Sequence, residues 1–191
     1  MRRVLVLLAA VGLIAVVVIG LTQSLSGSSG DATEFDLPAA KRELAGAPAP
    51  LNALYAQANT LIDGGRSAFD ARLDELKGTP LVINKWASWC GPCEAEFPVF
   101  KDATLEHGKE VAFIGLNSGD KDPAAKRFLA ERPLPFPSYT DPDSRIAQTR
   151  EIGAGFPMTL FVDRTGKTVY THTGAYRSQQ QLDEDIEKYL G

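Results

Sequence analysis

The chain has 191 residues, 44% of them hydrophobic, enough for one globular domain with attachments and too few for two full domains. Its 20 Lys and Arg against 24 Asp and Glu leave a formal charge of −4, which argues against a nucleic-acid surface, because phosphate contacts need clustered positive charge. Cys90 and Cys93 are the only cysteines, so a multi-bridge disulfide scaffold and an all-Cys zinc site within one chain are both excluded.

Arg2 and Arg3 precede an apolar run from Val4 to Leu21, 18 residues that at about 1.5 Å each nearly match a hydrocarbon layer of roughly 30 Å. Residues 1–21 read as a transmembrane signal anchor; a cleaved signal is the alternative, through the weak small-x-small site Ser24-Leu25-Ser26. The two arginines place the N-terminus in the cytoplasm and send the remainder outside. No Cys follows the run, so a lipid-modified anchor is excluded. Residues 22–50, rich in Ser, Gly, Ala and Pro, read as a flexible linker, which leaves 51–191 as the domain.

Within the domain, Leu51, Leu54, Tyr55, Leu61 and Ile62 keep roughly helical spacing up to Asp63-Gly64-Gly65. A second helix is expected from Ser67 to Leu76. Leu81-Val82-Ile83 then makes a short β-branched strand leading toward the cysteines, and Cys93 to Leu105 a helix, with Gly108 as its C′ residue. Val111 to Leu116 has no polar alternation and suits a strand covered on both faces. Asp122-Pro123 opens a helix to about Arg132, with Asp122 as N-cap. A brief strand at 138–140 and a helix over 144–152 follow. Met158–Val162 and Lys167–Thr171 form a hairpin around Asp163-Arg164-Thr165-Gly166. Ser178 and Gln181 then fit a capping box before the last helix. Strands alternating with helices, closed by a hairpin and one more helix, specify an α/β sandwich.

Trp89-Cys90-Gly91-Pro92-Cys93, between a buried strand and a helix, carries the chemistry. The first cysteine sits at a helix N-terminus, where free N–H groups and the positive helix end stabilise a thiolate, so Cys90 is the expected nucleophile. Cys93, nearly one turn further, is placed to attack a mixed disulfide at Cys90 and release the partner. Pro92 restricts the turn between them.

With this motif the sequence resembles the thioredoxin superfamily over roughly Ser67 to Gly191, and Gly155-Phe156-Pro157-Met158-Thr159 before an apolar strand is similar to that family's cis-proline segment. The resemblance implies a thioredoxin-like three-layer α/β/α sandwich with a central mixed sheet. It also implies a cis Pro157 facing the cysteines, and a substrate surface of Trp89, Gly91, Pro92, Phe156 and Pro157. Within the superfamily the anchor, the sequence Cys93-Glu94-Ala95-Glu96-Phe97-Pro98 and the extra material between Asp122 and Tyr139 resemble the membrane-anchored TlpA/ResA/DsbE-like group. That implies an extracytoplasmic thiol-disulfide oxidoreductase, with Glu96 joining Cys90 and Cys93 in proton management and no cofactor or metal. The implied partners are protein disulfides, apocytochrome c as a candidate substrate class, and a membrane electron donor or acceptor. The chain departs from cytosolic thioredoxins at Asn84, where they carry a buried Asp; an amide cannot take the proton of Cys93. The dipeptide Gly91-Pro92 points toward reduction, with oxidation or isomerisation left open.

Other readings are weaker on the residues. Zinc lacks partners, since His107 lies 14 residues beyond Cys93 and His172 far beyond it in a strand. A structural disulfide closing so small a loop braces almost nothing. A peroxiredoxin needs a Thr where this chain has Ala87, and a tethered non-catalytic binding module leaves the cysteines without a role. Lys85, a charge in an apolar strand, is turned away from Asn84 by strand alternation, and its role is open.

Overall fold

The computed structural model describes residues 35–191; the anchor expected over 1–21 and the first part of the expected linker, 22–34, lie outside the described residues. From Asp36 onward the expected linker gives way to helix. Asp36 Oδ1 accepts from Ala39 N (2.9 Å) and caps α1 (Leu37–Leu44), with a proline in the first turn, where its missing N–H leaves nothing unpaired. Ala40 and Leu44 are buried, so the domain begins near residue 35 and not at 51. Composition misleads here because Ala and Pro enrich linkers but also suit the first turns of helices. Among the described residues no helix is long and apolar enough to cross a membrane.

Helix α2 (Ala49–Ala56) buries Leu51, Leu54 and Tyr55. It ends well short of Ile62, because Asn59 turns the chain at φ 62°. Asn59 Nδ2 donates to Leu129 O (3.2 Å) and its Oδ1 accepts from Leu134 N (3.0 Å). Leu61–Ile62 becomes a two-residue edge strand, β1. The remaining elements are α3 (Gly65–Glu75), β2 (Leu81–Trp86), α4 (Gly91–His107), β3 (Ala112–Ser118) and α5 (Asp122–Glu131). After them come β4 (Ser138–Asp141), α6 (Arg145–Thr149), β5 (Met158–Val162), β6 (Thr168–Thr173) and α7 (Gln179–Leu190).

The six strands run in the order β1-β4-β3-β2-β5-β6; the first four are parallel, and β5 and β6 antiparallel. Every residue of β2, β3, β4 and β5 is buried; the apolar runs of β2, β3 and β5 suit strands covered on both faces, and β4, Ser138-Tyr139-Thr140-Asp141, is buried with its polar side chains hydrogen-bonded. Trp86 identifies one face: its ring meets Phe97 of α4 (5.4 Å) and Phe128 of α5 (5.5 Å), and its Nε1 donates to Ser138 Oγ (3.1 Å). That bond passes over Gly115 on the intervening strand, where any Cβ would collide with Ser138 and the indole nitrogen. Tyr139 identifies the opposite face, taking Phe69 edge-on (5.4 Å) and the Arg72 Nε donor (2.9 Å) from α3. Helix α4 packs with α7, and α3 with α6, which gives the expected three layers around a mixed sheet.

Several boundaries shift for local reasons. Gly108 caps α4 at φ −66°, an ordinary right-handed conformation; it is needed because a Cβ there would collide with the backbone carbonyl oxygen of Thr104 and press on Leu44 Cδ2 at 2.7 Å. Lys121, and not Asp122, is the N-cap of α5. The capping box of α7 is half formed: Ser178 Oγ accepts from Gln181 N (3.4 Å), but Gln181 Oε1 accepts from Arg177 N (3.1 Å).

Candidate active site

Strand β2 ends at Trp86 in the middle of the sheet, and the chain turns through Ala87, Ser88 and Trp89 into α4. Cys90 is the N-cap, with extended backbone (φ −94°, ψ 99°), and its Sγ accepts from Cys93 N (3.2 Å). The two cysteines are joined in a disulfide with Cα atoms 5.3 Å apart. Cys90 is 5% exposed and Cys93 is fully enclosed, so only the first is reachable; Gly91 and Pro92 stand exposed between them.

The turn before Cys90 is held by Asp120, a residue to which no sequence motif points. Its Oδ2 accepts from Ser88 N (2.6 Å) and Asn117 Nδ2 (2.9 Å), and its Oδ1 from Ser88 Oγ (3.0 Å) and Lys121 N (2.7 Å). Burial works against this carboxylate, but the donors from Asn117, Ser88 and Lys121 outweigh it and hold its carboxyl below the usual range. Trp89, 61% exposed, donates from Nε1 to Gly119 O (3.1 Å) on the same loop.

The peptide before Pro157 is cis, as the motif implies. The Phe156 ring meets Trp89 edge-on with centroids 4.9 Å apart, so an aromatic rim joins the cysteine loop to the proline segment. Pro157 O accepts from Gly174 N (3.0 Å), while among the described residues neither the amide nor the carbonyl of Phe156 has a backbone partner. A second extended chain could pair there.

Glu96 lies one turn beyond Cys93 on α4 and is fully buried. Its Oε1 accepts from Asn84 Nδ2 (2.7 Å) and its Oε2 from Tyr176 N (3.1 Å). Burial pushes its carboxyl up to about 7 against the pull of those two donors. Asn84 Oδ1 and Thr159 Oγ1, on register-paired residues of β2 and β5, are buried without a partner.

Lys85, 2% exposed, projects from the other face of β2. Its Nζ donates to Gly153 O (2.6 Å) and Gly155 O (3.2 Å) and lies 4.1 Å from the centre of the Phe156 ring. Burial lowers its pKa, opposed by the charge of Asp141. Away from the cysteines, His107 Nε2 pairs with Asp183 Oδ1 (2.8 Å), and the His172 ring stacks on Tyr176 (4.1 Å).

Known proteins supply an independent comparison. Residues 45–189 match the family model described as Redoxin. ResA thiol-disulfide oxidoreductase from Bacillus anthracis is 33% identical over 119 residues, 62% of this chain and 65% of its own length. ResA from Bacillus subtilis (strain 168) is 30% identical over 104 residues, 53% of this chain and 57% of its own. The chain thus spans 65% and 57% of the length of these two relatives. Among solved structures, MTB dsbF in mixed oxidised and reduced forms is 29% identical with a TM-score of 0.55, covering 61% of this chain and 85% of that one. A Chlorobium tepidum protein provisionally assigned as the thiol:disulfide interchange protein DsbE is 29% identical at a TM-score of 0.57, covering 62% and 85%. With the motif, the cis proline and the mixed sheet as expected, the chain belongs to the Redoxin family, as a TlpA/ResA/DsbE-like member of the thioredoxin superfamily.

Proposed function

We propose that this protein is a thiol-disulfide oxidoreductase that reduces protein disulfides outside the cytoplasmic membrane, tethered by its N-terminal segment. The observation that carries the reading is the Cys90–Cys93 disulfide at the N-terminus of α4, beneath an aromatic rim that ends in a cis proline. The Cys90 thiolate attacks a substrate disulfide, forming a Cys90–substrate bond and expelling one substrate thiolate. Cys93 then attacks the Cys90 sulfur and frees the second thiol. Two electrons and two protons pass to the substrate, and the oxidised pair is left.

Cys93 must lose a proton in the second step. Glu96, one turn along α4 with a carboxyl near neutrality, is the group suited to take it, and Asn84 anchors that acid where cytosolic thioredoxins carry one of their own. The exposed Trp89, Gly91 and Pro92, with the unpaired Phe156 backbone, form the surface for an extended client segment. Ala87 offers no hydroxyl for the peroxidase chemistry found elsewhere on this fold. Apocytochrome c thiols are the client class suggested by the ResA-like resemblance, with a membrane electron donor restoring the dithiol.

The test is dithiol-dependent reduction of insulin by the purified chain. Cys90→Ser abolishes turnover, and Cys93→Ser accumulates a mixed disulfide with client protein visible on non-reducing gels. Turnover by Cys90→Ser equal to wild type would sink the proposal. A midpoint potential near about −270 mV supports reduction, and one near about −120 mV supports oxidation.

A further inference from the structure

An ammonium offers three donors and needs three acceptors when it leaves water. Lys85 Nζ finds them all within one short segment: the carbonyls of Gly153 and Gly155, and the face of the Phe156 ring. Among the described residues it forms no salt bridge. The nearby Asp141 is already engaged, its Oδ1 accepting from Ile146 N (2.9 Å) and its Oδ2 from Ala147 N (3.0 Å) and Ser118 Oγ (3.0 Å). A buried cation without an ion partner is costly, and one spent on backbone carbonyls holds that backbone in place.

The segment it holds runs directly into Pro157. Gly153, Ala154 and Gly155 are exposed and carry little side chain, so they have few other contacts to fix their path. Phe156, clamped on one side by Lys85, touches Trp89 on the other, and Trp89 precedes Cys90. A continuous chain of contacts therefore links Lys85 to both edges of the rim without touching either sulfur.

We propose that Lys85 is a positioning residue that sets the geometry of the Gly155–Pro157 segment and of Trp89, so that a protein client's backbone can pair at Phe156 while Cys90 attacks its disulfide. The inference rests on the dithiol reading given above. It assigns Lys85 to recognition of an extended polypeptide, and small disulfides, which have no backbone to pair, bypass it.

The pre-reduced full chain is mixed with insulin or with cystamine, and the second-order rate constant is followed for each. Lys85→Met keeps the apolar stem, and water can reach the carbonyls it abandons. It lowers the insulin constant by about tenfold more than the cystamine constant, a part of the roughly hundredfold that a 1 Å misplacement can cost. Lys85→Arg, which keeps the charge and donors, restores part of the difference. Amide exchange across Gly155–Met158 is faster in Lys85→Met than in wild type. Equal losses on both substrates, or no loss on either, overturn the assignment, as does unchanged exchange. A wild-type chain inert toward both disulfides overturns the dithiol reading itself, and the exchange measurement then still decides whether Lys85 holds the segment.

Discussion

Asn84 and Lys85 are consecutive residues of one strand, yet they serve opposite sides of the sheet under the same cysteine pair. Alternation sends Asn84 toward α4, where it meets the fully buried Glu96, and sends Lys85 to the face bearing α3 and α6, where it meets the proline loop. On the first side a carboxyl is enclosed with two N–H donors. On the second an ammonium is enclosed against two carbonyls and a ring that belong to a partly open segment. Burial pushes both groups toward their neutral forms, raising the acid to about 7 and lowering the base. On the proposed reading, the difference separates proton handling from client grip along one backbone.

Replacing Glu96 tests the proton side and has the largest expected effect. Glu96→Gln keeps the shape and the Tyr176 N–H bond but cannot accept a proton, and the rate of resolution by Cys93 falls by about a hundredfold near pH 7. The wild-type inflection near pH 7 disappears from the rate profile. Stability carries a second signature. The folded carboxyl titrates at about 7 against 4.5 for the ordinary group, so the native state binds more protons between those values. The contribution of Glu96 to stability is therefore fully present below about pH 4.5 and is lost, by about 3 kcal/mol, as pH rises to 7. Urea unfolding of the oxidised protein should show that slope in wild type, with this contribution absent in Glu96→Gln. Equal slopes would remove Glu96 from the argument.

Much of this division is legible in the amino-acid sequence. The motif, the sandwich and the separation of Lys85 from Asn84 follow from local signals, a spacing, an alternation of elements and a period of two, and the cis Pro157 from the resemblance carried by Gly155-Phe156-Pro157-Met158-Thr159. What is not legible there depends on contacts distant in sequence. Asp120 lies in a loop 32 residues beyond Ser88 and looks like any turn acid until β3 is seen beside β2. The partners of Lys85 sit 68 and 70 residues away. The order over residues 35–50 escapes because alanine-rich helices and linkers share a composition, and only the burial of Ala40 and Leu44 separates them.

Asp120 supports the cysteine loop itself and so bears on both sides at once. Asp120→Asn removes the charge that Ser88 N, Ser88 Oγ and Lys121 N share, at a cost of about 2 kcal/mol in unfolding free energy. Because the loop carrying Cys90 shifts, insulin and cystamine rates should fall together, in contrast to Lys85→Met. A selective loss on insulin would mean that the grip extends into this loop and that the two sides are less separate than the geometry indicates.

The smallest effect distinguishes backbone from side chain at Tyr176. Its N–H holds Glu96, while its hydroxyl donates to Asp185 Oδ2 (2.6 Å) on α7. Burial, then Asp185, raises the phenol well above its usual range, so at neutral pH it stays a neutral donor. Tyr176→Phe deletes that bond and leaves the backbone donor in place. Stability should drop by about 1 kcal/mol, the net worth of one hydrogen bond, and the inflection near pH 7 should stay where it is. If the inflection moves, the hydroxyl bond to α7 is what sets the Tyr176 backbone against Glu96, and the proton side extends through Asp185 to the last helix.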